Sequence, residues 1–118
     1  MRIFRFITTI ISSTLMTSCV INPNKISIAY PNWAEGIAVT HLAREILVEQ
    51  GFQVELLNAD IAPIFTSLAR GKTDVFLDSW LPVTHKPYFE KYQGKFEILG
   101  QVFDSARIGL VVPAYVPI

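Results

Sequence analysis

Lys25-Ile26-Ser27-Ile28-Ala29-Tyr30 alternates apolar and polar positions and predicts a first strand. Pro31-Asn32 ends it. Asn32 stands where a helix N-cap belongs, and Glu35 lies three residues on, in the place of a capping-box carboxylate. The predicted helix runs to about Gln50. Ala38, Leu42 and Ile46 form one i,i+4 row, with Val39, Ala43 and Leu47 beside it, while Arg44, Glu45 and Glu49 keep the other side wet. Gly51 stops it. Val54 to Leu57 reads as a second strand. Asp60 opens a second helix, with Pro63 near its start and Arg70-Gly71 at its end. Thr73 to Leu77 reads as a third strand, and the loop Asp78 to His85 follows. Pro82 stiffens that loop, and Thr84 is placed to cap a short helix from about His85 to Tyr92. Phe96 to Leu99 and the apolar run Arg107 to Val112 complete the order β-α-β-α-β-α-β-β. Strands alternating with helices predict an α/β fold with a mainly parallel sheet.

The first twenty residues have a different pattern. Arg2 and Arg5 precede an uncharged stretch, Phe6 to Met16, too short to span a bilayer comfortably. It reads as the h-region of a secretory signal. Met16-Thr17-Ser18-Cys19 then resembles a bacterial lipobox, in which Cys19 is acylated and becomes the new N-terminus. The plainer alternative is a signal peptide in which Cys19 is incidental. The expected organisation is a signal over residues 1–18, a tether over 19–24 and a folded unit over 25–118. It places the mature chain at the extracytoplasmic face of a bacterial envelope, held to the membrane by lipid.

Composition narrows the function. The chain has one cysteine, which excludes an intrachain disulfide. Removing the signal takes away two arginines, so a balance of 10 basic and 10 acidic residues becomes 8 and 10. No basic block exists, and nucleic-acid binding has no electrostatic footprint.

Trp33 and Trp80 each follow a predicted strand on the same edge of the sheet. In open α/β sheets ligands bind beyond the carboxyl ends of the strands. Two indole faces there suit a cation that cannot donate hydrogen bonds, such as a quaternary ammonium. Core or interface packing is the alternative. Glu35 can face the ammonium or act as the capping acid. His85 can donate to a ligand carboxylate or face solvent in the first helical turn. Tyr30 is near enough to Trp33 to line the same crevice, and His41 has no assigned role. Catalysis has little support: there is no metal-ligand spacing, no nucleophile elbow and no glycine-rich phosphate loop. Asp78 and His85 can be drawn as the acid and base of a small hydrolase, but no nucleophile stands beside them. No cofactor is implied.

Four blocks together carry a resemblance. They are Ile28-Ala29-Tyr30-Pro31-Asn32-Trp33, Glu35-Gly36-Ile37-Ala38, Phe76 through Lys86, and Gly109-Leu110-Val111-Val112-Pro113. In this order they resemble the glycine betaine/proline betaine substrate-binding proteins of osmoprotectant ABC transporters. The resemblance covers about Lys25 to the end. It implies a two-lobed periplasmic-binding-protein fold of type II, a tryptophan cage around the ammonium, and a separate permease with its ATPase. Two cage tryptophans map onto Trp33 and Trp80. A histidine that contacts proline betaine maps onto His85, and an acid found in choline-binding relatives maps onto Glu35. Family members are much longer, so the chain is expected to be most of one lobe with the second lobe missing. Choline preference and a non-binding envelope lipoprotein remnant stay open as alternatives.

Overall fold

A computed structural model describes residues 23–107 and 109–116. The signal, the lipobox and Cys19 lie outside the described residues. Within them the order is β1 (Lys25–Tyr30), α1 (Ala34–Glu49), β2 (Gln53–Asn58), α2 (Ile61–Ala69), β3 (Val75–Phe76) and α3 (Lys86–Lys91). The three strands form one parallel sheet in the order β2-β1-β3. β1 pairs with β2 along its whole length, from Lys25 opposite Gln53 to Tyr30 opposite Asn58. Its other edge meets β3 at Ile28 and Ala29, opposite Val75 and Phe76. Parallel neighbours require crossover connections, and α1 and α2 supply them. The α/β class and parallel sheet are as the pattern predicts.

The core explains why these segments fold this way. Ile28 and Ala29 on the central strand and Ile64 and Phe65 on α2 are buried. Phe65 is the hub of an aromatic cluster. Its ring stacks on Tyr88 at 5.4 Å and meets Phe76, His85 and Phe96 at 5.7, 5.7 and 5.8 Å. These rings tie α2, β3 and α3 together by area burial and by edge and face contacts. Both long helices end in the same motif. Gly51 (φ 88°) and Gly71 (φ 63°) take the left-handed conformation that a side chain disfavours. The following amides, Phe52 and Lys72, reach back to the carbonyls of Leu47 and Ser67 at 3.0 and 2.9 Å.

Several boundaries differ from the sequence pattern, each for a physical reason. The N-cap of α1 is Trp33, not Asn32, and no side chain caps the helix. The Trp33 amide turns back to the Pro31 carbonyl at 2.8 Å, which delays the helix by one residue. Glu35 therefore closes no capping box. Thr84 does not cap α3 either, because His85 occupies that place. β3 is only two residues long, although the Asp74 amide just before it still donates to the Ser27 carbonyl of β1 at 3.1 Å. The Asp74 carboxylate adds to that bond by accepting from the Ser27 amide and hydroxyl at 2.7 and 2.6 Å. Phe96 to Leu99 is not a strand: Phe96 turns into the aromatic cluster, and the run pairs with none of the three described strands. The described residues of Arg107 to Val112 form no strand either. On α1, Gly36 and Thr40 are buried and Val39, Ala43 and Leu47 half-buried, but Leu42 and Ile46 are 62% and 53% exposed. The sheet thus takes only one of the two predicted apolar rows.

Candidate functional site

A sheet ordered β2-β1-β3 has its switch point between β1 and β3, and the crevice beyond their carboxyl ends is where such sheets bind ligands. The loop after β1 carries Trp33. The loop after β3 carries Asp78, Trp80 and His85. Both tryptophans therefore flank the switch point because each immediately follows one of its two strands.

His85 joins the two loops. Its imidazole stacks on the Trp33 indole, with ring centroids 5.9 Å apart and planes 23° from parallel. Its Nδ1 accepts the Trp80 backbone N–H at 2.9 Å, and its own amide donates to the Trp80 carbonyl at 3.0 Å. Nδ1 can accept only when unprotonated, so the proton of the neutral ring sits on Nε2. His85 is 2% exposed, and burial lowers its pKa from the ordinary 6.5. The solvent-facing reading of His85 is therefore excluded. Pro82, which follows Trp80 by two residues, has a cis peptide bond with Leu81.

Trp33 is 37% exposed. Trp80 is half-buried, and its indole Nε1–H donates to Asp78 Oδ1 at 2.9 Å. Asp78 is 5% exposed, and its other oxygen, Oδ2, is buried without a hydrogen-bond partner. Burial raises the Asp78 pKa, the indole bond opposes that shift, and the Glu35 charge adds to it. Glu35 itself is half-buried in the first turn of α1. Tyr30 directs its ring edge-on to His41, with centroids 6.1 Å apart.

Trp33 and Trp80 are thus linked through His85, which stacks on the first ring and bonds to the backbone of the second. Glu35 is linked to them through its charge on Asp78. Tyr30 has its ring contact with α1 instead. Asp78 is the member of the group whose relation to Trp80 sequence reading missed. The signal was available, since residues two apart on an extended segment point the same way and Asp78 precedes Trp80 by two. No acid–base dyad forms. Asp78 Oδ1 takes the indole and His85 Nδ1 takes an amide, whereas a dyad needs the imidazole to address the carboxylate. No group of three potential metal ligands exists among the described residues.

An open parallel sheet of this order fits a lobe of the periplasmic-binding-protein type. Comparison with known proteins is more specific. The substrate-binding domain of ABC-type glycine betaine transport systems matches residues 24–118, and the chain belongs to that family. It is 35% identical over 95 residues to the glycine betaine/carnitine transport binding protein GbuC of Listeria monocytogenes, covering 80% of this chain and 32% of that protein. It also superimposes on lactococcal OpuAC in its closed-liganded conformation with glycine betaine, with a TM-score of 0.63 and 31% identity. That match covers 65% of this chain and 30% of the OpuAC chain. The chain therefore spans about a third of the length of these relatives. The family is described as the substrate-binding domain of a transport system.

Proposed function

We propose that this chain forms one wall of a binding site for a quaternary ammonium osmoprotectant, glycine betaine or a close analogue, in an ABC importer. Trp33 and Trp80 present ring faces to the trimethylammonium head. The charge there is diffuse and the methyl groups are readily desolvated, which suits aromatic faces better than it suits water. His85 holds the two walls in register and offers Nε2–H to a ligand carboxylate. At 2% exposure it reaches that carboxylate only when a neighbour gives way. The remaining walls belong to sequence that the longer relatives have and this chain does not span. A permease and its ATPase take the ligand onward, and acylated Cys19 holds the protein at the extracytoplasmic face.

The observation that carries this reading is the His85 bridge, which draws both tryptophan loops to the switch point. Two rings at about 0.5–2 kcal/mol each supply at most about 4 kcal/mol, which alone corresponds to roughly millimolar binding. Titrating the purified chain with glycine betaine, carnitine, choline and sucrose, and reading tryptophan fluorescence, tests it. Saturable change near the millimolar range with the trimethylammonium compounds, and none with sucrose, is expected. Equal response to sucrose, or silence up to tens of millimolar, counts against a site in this chain. Choline that matches glycine betaine assigns the preference to the ammonium alone, with no share for His85 and a carboxylate.

A further inference from the structure

We propose that Asp78 is the positioning residue for Trp80, and that Gly36 at the start of α1 leaves the space in which the Asp78 carboxylate sits. The inference rests on reading Trp80 as a wall for a cation and adds how that wall is set. The indole has two faces and one N–H. A hydrogen bond at 2.9 Å from Nε1 to Asp78 Oδ1 fixes the plane of the ring, because the donor lies in that plane. An indole that donates to an anion also becomes richer in π density. Its face then attracts a cation more strongly than that of an unbonded indole.

Two further features separate this from ordinary loop packing. Asp78 Oδ2 is buried with no partner, so the carboxylate is a costly way to satisfy one N–H. A neutral acceptor would also pair the indole N–H without burying a charge, though more weakly. What the acid adds is negative charge at the N–H edge of the ring, which favours a cation on the ring face. The second feature is the approach of α1. A Cβ on Gly36 would lie 2.6 Å from Asp78 Oδ2 and 3.3 Å from Pro31 Cγ and Cδ. Any side chain there displaces the carboxylate, and with it the indole. Among the described residues, α1 presents Glu35 as the charge acting on Asp78, the end of β1 presents Pro31 beside Gly36, and its own loop presents the indole.

The chain has two tryptophans, so the indole region of a ¹H–¹⁵N correlation spectrum holds two signals, assigned with Trp33→Phe. In the ¹⁵N-labelled 118-residue chain the Trp80 signal is expected downfield. It should move as Asp78 titrates in acid, above the usual carboxylate range, while the Trp33 signal does not follow. Asp78→Asn keeps an acceptor and abolishes that pH response. Asp78→Leu removes the acceptor and shifts the signal upfield. Loss of a charged hydrogen bond then weakens glycine betaine binding about tenfold. Urea unfolding of Asp78→Asn at pH 7 should have a midpoint at or above wild type, since a buried charge is gone while the indole keeps an acceptor. Gly36→Ala should move the Trp80 signal and weaken binding in the same direction. Alanine is the better helix former, so that loss cannot come from helix propensity. A Trp80 signal indifferent to all three changes, or affinity within twofold of wild type, overturns the proposal. Wild-type indoles that never respond to glycine betaine overturn the reading of the site itself. The ligand-free spectrum then shows whether the Asp78 bond exists as loop architecture alone.

Discussion

The two tryptophans are held by different physics. Trp33 stands at the N-cap of α1, with its ring on an imidazole and no side chain capping the helix behind it. Trp80 stands in a loop, yet its amide, its carbonyl and its indole N–H each have a defined partner within the segment from Asp78 to His85. The Trp33 amide and carbonyl are bonded too, to Pro31 and Ile37, so the difference lies in the rings: one indole is placed by packing and the other by a hydrogen bond. Stacking tolerates sliding, because it is weakly directional. The hydrogen bond that the Trp80 Nε1–H donates does not. The loop wall is therefore the rigid reference and the helix-borne wall the adjustable one, the reverse of what secondary structure alone suggests. The pieces meet in His85, which stacks on the first and bonds to the second.

The severest way to break this comparison is to remove the floor beneath His85. Phe65 touches His85, Phe76, Tyr88 and Phe96 and is buried. Phe65→Ala should cost about 3–5 kcal/mol, a loss comparable to the whole stability of a small domain. Urea unfolding followed by circular dichroism reads it. A cost below about 1 kcal/mol means that the polar bonds hold the loop without the aromatic floor, and the contrast between the two walls becomes sharper still.

A smaller effect comes from pH. Burial depresses the His85 pKa below 6.5, so the folded state holds the neutral ring and the unfolded state binds the proton first. Stability from this group is present above about 6.5 and is lost as pH falls through the lower, folded value. Asp78 has the opposite sign. Its folded pKa is raised, so acid protonates it in the folded state first, and it opposes the loss further down the scale. His85→Asn keeps an acceptor for the Trp80 amide and cannot titrate. Denaturation midpoints between pH 7.5 and 5.5 should therefore fall for wild type and stay level for the variant. Parallel slopes would remove His85 as the group responsible. The same variant lacks the Nε2 donor, so its preference for glycine betaine over choline should shrink.

How much of this was legible in the sequence depends on the range of the interactions. β1 is read to the residue from its alternation, and both glycine-terminated helices are found, because these features are local. The two strands expected after α3 do not form among the described residues, because a strand is a partnership and nothing in Phe96 to Leu99 reveals whether a neighbour exists. The site divides in the same way. Trp33 and Trp80 are visible from their places after apolar runs. The His85 bridge is not, since Nδ1 acceptance and the stack on a residue 52 positions earlier depend on how two loops meet. Asp78 was within reach, two residues from the indole, but its proximity to His85 invited a catalytic reading that the hydrogen bonds do not support.

The mildest change tests which face of α1 carries the helix-borne wall. Apolar periodicity offers two adjacent rows, and a sheet of three strands covers only one. Leu47 is half-buried and its carbonyl takes the Phe52 amide at the helix end, while Leu42 is 62% exposed. Leu47→Ala should then cost about 2 kcal/mol, toward the low end for such truncations because the site is only half-buried. Leu42→Lys should stay within about 0.5 kcal/mol, as exposed substitutions do. Equal costs would mean that the Leu42 row is covered when the chain is in solution, with a second copy as the covering surface. Sedimentation of wild type and Leu42→Lys separates the cases. If the row is bare, both run as monomers, and Trp33 rests on a helix anchored along one face only, as the adjustable wall requires.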